Sequence, residues 1–91
     1  MPKILVIDDE KNIRDGIKKS LEYEGYEVVT AENGEKGIET VYKGGIDLVI
    51  TDLKMPEKTG EEFLHDILEF DKHIPVIILT GHGNIETAVD M

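Results

Sequence analysis

The chain has 91 residues, which suits a single domain that buries only about 60–65% of the surface its unfolded form exposes and leaves no room for a second domain. With 20 acidic against 10 basic residues its formal charge is -10, which repels nucleic-acid phosphates and anionic membrane surfaces and argues against direct DNA, RNA or membrane binding. Cysteine is absent, which excludes disulfides, thiolate metal sites and a cysteine nucleophile. No run approaches the ~20 apolar residues that span a bilayer, and the first apolar run passes at once into acids without the pattern of a secretory signal. A cytoplasmic location is the expectation.

Lys3 to Ile7 is a short continuous apolar run and reads as a strand. From Asn12 to Glu24 the residues Ile13, Ile17 and Leu21 recur at i, i+4 and i+8, a helix with one apolar stripe, and Gly25 is placed to end it. Tyr26 to Ala31 is a second, β-branched strand. Gly34 to Lys43 forms a helix with Ile38, Val41 and Tyr42 on one face, stopping at Gly44-Gly45. Ile46 to Asp52 is the third strand. After the turn Lys54-Met55-Pro56, Gly60 to Phe70 sets Phe63, Leu64, Ile67 and Leu68 on a helical stripe. Ile74-Pro75 introduces a fourth strand, Val76 to Thr80, and Asn84 can cap a last helix through Ile85, Ala88 and Val89.

Strands alternating with helices imply a parallel sheet with right-handed crossovers and helices on both faces. The runs Ile4–Ile7 and Val76–Leu79 are apolar at every position, as suits strands covered on both sides. The helices at 12–24 and 60–70 cannot both cover one face of so small a sheet, so the expected class is a doubly wound α/β fold.

Three of these strands run into chemistry. The first ends in Asp8-Asp9-Glu10, the third in Thr51-Asp52 and the fourth in Thr80-Gly81. In an open parallel sheet ligands bind beyond the carboxyl ends of the strands, so these groups meet in one place. Adjacent carboxylates stand where a nucleotide-binding fold has glycines and would repel phosphate unless a cation lay between them; Mg²⁺ takes one or two carboxylates and fills its octahedron with water and phosphate oxygens. Alternatively, the same acids simply cap the next helix and complement its dipole. Asp52 fits a nucleophile toward phosphorus, or an aspartate that merely opens a loop, and Thr80 is by itself an ordinary strand-end residue.

Taken together, the stretches Ile4-Leu5-Val6-Ile7-Asp8-Asp9-Glu10, Asp47 to Pro56, Gly60 and Pro75 to Gly83 closely resemble the receiver domain of bacterial two-component response regulators, and the stretch from Thr80 to Met91 is most similar to receivers of enhancer-binding transcriptional activators. The resemblance implies that Asp52 accepts a phosphoryl group from a sensor histidine kinase. It also implies that Asp8, Asp9, Asp52 and the carbonyl of Lys54 hold Mg²⁺, and that Thr80 hydrogen-bonds the phosphoryl oxygens. The implied fold is flavodoxin-like, a five-stranded doubly wound sheet in the order 2-1-3-4-5. Residues 1–91 would make one receiver-like domain supplying four of those strands, incomplete at its C-terminus without the fifth strand and fifth helix. Such receivers carry a lysine on the fifth strand, and no residue after Thr80 here is basic except His82, so phosphorylation is expected to be impaired. Without a fifth strand, Val76–Leu79 would be an unpaired apolar edge, and homo-oligomers through that edge, or by strand exchange, are expected.

Two other readings compete with this one. A Mg²⁺-dependent phosphatase with an Asp nucleophile would want Asp-x-Asp after the first strand, whereas the acids here are adjacent; a module for interaction or dimerisation alone would take no phosphate at all. His65, His73 and His82 lack the spacing of a zinc site and read as surface residues. Lys11, Arg14, Lys18 and Lys19 read as the solvated face of the first helix, or, by the resemblance, as a kinase-docking face.

Overall fold

The computed structural model describes residues 2–52, 60–70, 73–79 and 85–88. In chain order these form β1 (Lys3–Ile7), α1 (Lys11–Tyr23), β2 (Glu27–Ala31), α2 (Gly34–Tyr42), β3 (Leu48–Asp52), α3 (Gly60–Phe70), β4 (Val76–Leu79) and β5 (Ile85–Ala88). The sheet order is β2-β1-β3-β4-β5, and all pairings among the first four strands are parallel. The four parallel strands and three helices are those the alternating periodicity predicts, within one or two residues at each end.

The fifth strand is a correction to that reading. The segment expected as a helix through Ile85 and Ala88 runs antiparallel to β4 instead, with Leu79 opposite Ile85 and Val76 opposite Ala88. Val89 and the proposed cap Asn84 lie outside the described residues. The reason is local against tertiary free energy. A helix this short has too few hydrogen bonds to offset its nucleation cost, while the open edge of β4 offers a row of backbone partners to a segment with β-branched Ile85 and Thr87. The apolar edge of β4 is therefore covered by the same chain rather than left unpaired.

The two faces of the sheet differ. Leu5, Ile7, Val49, Val76 and Ile78 point to the face where α2 supplies Ile38 and Val41 and α3 supplies Ile67, and together these form the larger core. On the other face Ile4, Val6 and Val28 meet Ile17 and Leu21 of α1. The helices at 11–23 and 60–70 thus lie on opposite sides, as the doubly wound arrangement requires. Among the described residues only α1 covers its face, so Leu48, Ile50, Ile77 and Leu79 on that side are half-buried, and only β1 is fully enclosed over four consecutive residues. Ile13, on the same apolar stripe as Ile17, is 43% exposed, and Tyr42 is 53% exposed because it stands about 100° around the helix from Val41.

Helix ends follow the sequence signals. Gly25, at φ 96°, closes α1 in a Schellman motif: its N–H donates to the Glu22 carbonyl and that of Tyr26 to the Leu21 carbonyl. Asn33 caps α2 by accepting the Lys36 N–H at 2.9 Å. Among the described residues no helix is long and apolar enough to cross a membrane.

Candidate phosphoacceptor site

The last ladder partners of β1 are Ile7 with Ala31 on one side and Thr51 on the other, so the chain leaves the sheet at Asp8. The Asp8 N–H still donates to the Ala31 carbonyl at 3.2 Å, which draws the Asp8 side chain into the crevice at the strand ends, where the residue is 3% exposed. Asp52, half-buried at the end of the adjacent β3, stands beside it, and Asp9 reaches in from the exposed side of the turn. Carboxylate oxygens of Asp8, Asp9 and Asp52 lie within 4.8 Å of one another. Residues 44 apart in sequence are thereby joined into one acidic pocket.

Three negative groups this close are costly without a cation. Burial is the main influence raising the Asp8 carboxyl above the ordinary aspartate range; the neighbouring charges of Asp52 and Asp9 add to it, and the hydrogen bond from the Glu10 N–H, 2.8 Å from Asp8 Oδ1, opposes it. The donor set consists of hard carboxylate oxygens, two of them reachable from solvent, which suits Mg²⁺ with several retained waters.

The alternative in which these acids cap α1 fares poorly. The N-cap residue Glu10 makes no side-chain capping bond, and Asp8 accepts the N–H of Glu10 itself rather than an N–H from the first turn of the helix. Of the other residues predicted for the site, Thr80 and Lys54 lie outside the described residues, as does His82.

Sequence reasoning missed one participant. Arg14, assigned to the solvated face of α1, is half-buried, and its guanidinium Nη1 donates to the backbone carbonyl of Asp8 at 2.8 Å. The signal was present, because helix side chains lean toward the N-terminus and a long one in the second turn reaches back over the preceding strand end. His65, Asp66 and Glu69 form a second group on the outer side of α3, where the two imidazole nitrogens face the two carboxylates at 3.8 and 3.6 Å.

Residues 4–91 match the family model of the response regulator receiver domain. The chain belongs to the response regulator receiver family. The transcriptional regulatory protein GlrR of Escherichia coli K12 is 41% identical over 86 residues, covering 94% of this chain and 19% of GlrR. The chain thus spans about a fifth of that relative's length. A receiver domain protein of Clostridium thermocellum is 47% identical with a TM-score of 0.87, covering 91% of this chain and 68% of that one. TrrA of Thermotoga maritima, solved in complex with Mg²⁺ and BeF, is 45% identical with a TM-score of 0.85, over 90% of this chain and 73% of that one. A second TrrA structure, 44% identical with a TM-score of 0.86 over 92% of this chain and 72% of that one, is a complex with the histidine kinase ThkA. The receiver fold, with its place in two-component signal transduction, accounts for the four parallel strands and for the strand ends at which the acids meet.

Proposed function

We propose that this receiver is a phosphoacceptor in which Asp52 takes a phosphoryl group from a sensor histidine kinase. The observation carrying the reading is the meeting of the Asp8, Asp9 and Asp52 carboxylates within 4.8 Å at the ends of β1 and β3. In this reading an Asp52 carboxylate oxygen attacks phosphorus, the P–N bond of the kinase phosphohistidine breaks, and the imidazole leaves with the bonding pair. Asp8, Asp9, Asp52 and the Lys54 carbonyl hold Mg²⁺, which would neutralise the charge shared by the attacking carboxylate and the phosphoryl oxygens. Thr80 hydrogen-bonds the transferred group. The protein acts in the cytoplasm as a substrate of the kinase rather than as an enzyme, with self-phosphorylation its only chemistry, and without direct contact to nucleic acid or membrane. Support for the metal and the kinase comes from TrrA, a close structural relative solved with each.

Intact mass after treatment with a small phosphoryl donor and Mg²⁺ tests the reading. The expected result is a gain of one phosphoryl group that Asp52→Ala abolishes. Turnover of phosphate esters would instead favour the phosphatase, and no reaction at all the interaction module.

Homo-oligomers are also part of this reading, through exchange of β5 between copies, since β5 of one copy can make the same pairing on β4 of another. Light scattering that returned only a monomer at high micromolar concentration would remove that element.

A further inference from the structure

We infer that Arg14 is a positioning residue for the metal site: it fixes the Asp8-Asp9 turn through the Asp8 carbonyl and thereby sets the Mg²⁺ affinity and the preference for Mg²⁺ over larger cations. The inference rests on the proposed metal site.

Three contacts define the turn between β1 and α1. The Asp8 N–H is held by the Ala31 carbonyl at 3.2 Å, Asp8 Oδ1 by the Glu10 N–H at 2.8 Å, and the Asp8 carbonyl by Arg14 Nη1 at 2.8 Å. The first two leave the Asp8 carbonyl oxygen without a donor, because neither touches it. Among the described residues this carbonyl has no backbone donor; the guanidinium supplies one and thereby sets the direction in which Asp9 leaves the strand. The Arg14 backbone is itself fixed, its N–H donating to the Glu10 carbonyl at 3.0 Å as the first hydrogen bond of α1. Strand end, turn and helix start are thus tied by one side chain.

The sign of the effect separates positioning from electrostatics. A guanidinium near a divalent cation repels it, so if charge were its main contribution, removing Arg14 would tighten Mg²⁺ binding. If Arg14 positions the turn, removing it loosens the carboxylates and weakens binding, by about 10-fold on the scale of outer-shell contacts to metal ligands. Mg²⁺ demands near-ideal octahedral geometry whereas Ca²⁺ accepts irregular oxygen cages, so loss of position penalises Mg²⁺ more than Ca²⁺.

Titration of the wild-type chain, Arg14→Met and Arg14→Lys with Mg²⁺ and with Ca²⁺, followed by calorimetry and by the amide NMR shifts of residues 8–10, tests this. Arg14→Met keeps the packing stem without the donors, and Arg14→Lys restores a single donor. The expected result is an Mg²⁺ Kd about 10-fold weaker in Arg14→Met, a smaller loss for Ca²⁺, and recovery to within about 3-fold in Arg14→Lys. Should Arg14→Met fail to fold, Arg14→Gln, whose shorter stem does not carry a donor to the Asp8 carbonyl, decides in its place: a measurable loss of Mg²⁺ preference over Ca²⁺ supports the inference, and an unchanged preference overturns it. An Mg²⁺ affinity in Arg14→Met equal to or tighter than wild type overturns it alone, whereas a wild-type chain that binds no Mg²⁺ overturns the metal site and this inference with it.

Discussion

Asp8→Asn is expected to raise the melting temperature of the metal-free protein and, in the same stroke, to abolish its stabilisation by Mg²⁺. The wild-type carboxylate is buried beside Asp9 and Asp52, so ionising it costs the folded state something the unfolded chain does not pay. An asparagine keeps an oxygen to accept the Glu10 N–H and removes the charge. Relief of two partly screened like-charge contacts is worth about 1 kcal/mol, or roughly 4–8 °C for a domain of this size. The pH dependence has a definite sign. Because the folded-state pKa of Asp8 is raised, the folded form holds its proton after the unfolded form has lost it, and stability falls as pH rises from the ordinary aspartate value through the raised one. Below the unfolded value the penalty is absent, and above the folded value it is constant. The gap between variant and wild type therefore opens in acid and then levels off, as thermal melts across that range will show. With Mg²⁺ at a hundred times its Kd the wild type gains ~2.7 kcal/mol, and the variant, lacking a ligand, gains nothing comparable. A variant less stable than wild type without metal would refute the account of Asp8 as a strained charge.

Leu5→Ala carries the largest expected loss of stability. Leu5 has no exposed surface, sits on β1 between β2 and β3, and faces the core formed with α2 and α3. Truncation there removes the transfer free energy of the lost groups and leaves a cavity, together about 3–5 kcal/mol. A chain of this size has a total stability of only about 5–14 kcal/mol, so the melting temperature is expected to drop by at least about 12 °C. Ile13→Ala, on the half-exposed stripe of α1, should change stability by no more than about 0.5 kcal/mol. Denaturant melts of the two variants check the contrast. Similar losses in both would mean that α1 is buried far more deeply than the structure has it.

Much of this protein could be read directly from its residues. Apolar continuity from Ile4 to Ile7 marked a strand enclosed on both faces, and the i, i+4 recurrence of Ile17 and Leu21 marked a helix lying on the sheet. Gly25 and Asn33 marked where helices stop and start, because only a residue free of a Cβ takes φ 96° cheaply and only a short polar side chain reaches back to the Lys36 N–H. These are local causes, complete within a few residues, and so visible in sequence.

The tertiary structure decided what depends on neighbours distant in the chain. Residues 85–88 carry a pattern that suits either helix or strand, and the free edge of β4 selects the strand. Ile13 belongs to the same stripe as Ile17 yet remains exposed, because the cluster of Ile4, Val6 and Val28 is met by Ile17 and Leu21 and not by Ile13. The pocket itself is of this kind. Sequence supplies acids at two strand ends, but only the pairing of β1 with β3 brings Asp52 within 4.8 Å of Asp8 and Asp9, and the return of Arg14 over the strand end supplies the Asp8 carbonyl with a partner. Electrostatic cost and metal affinity both follow from distances between groups, and a linear chain fixes those distances only once it is folded.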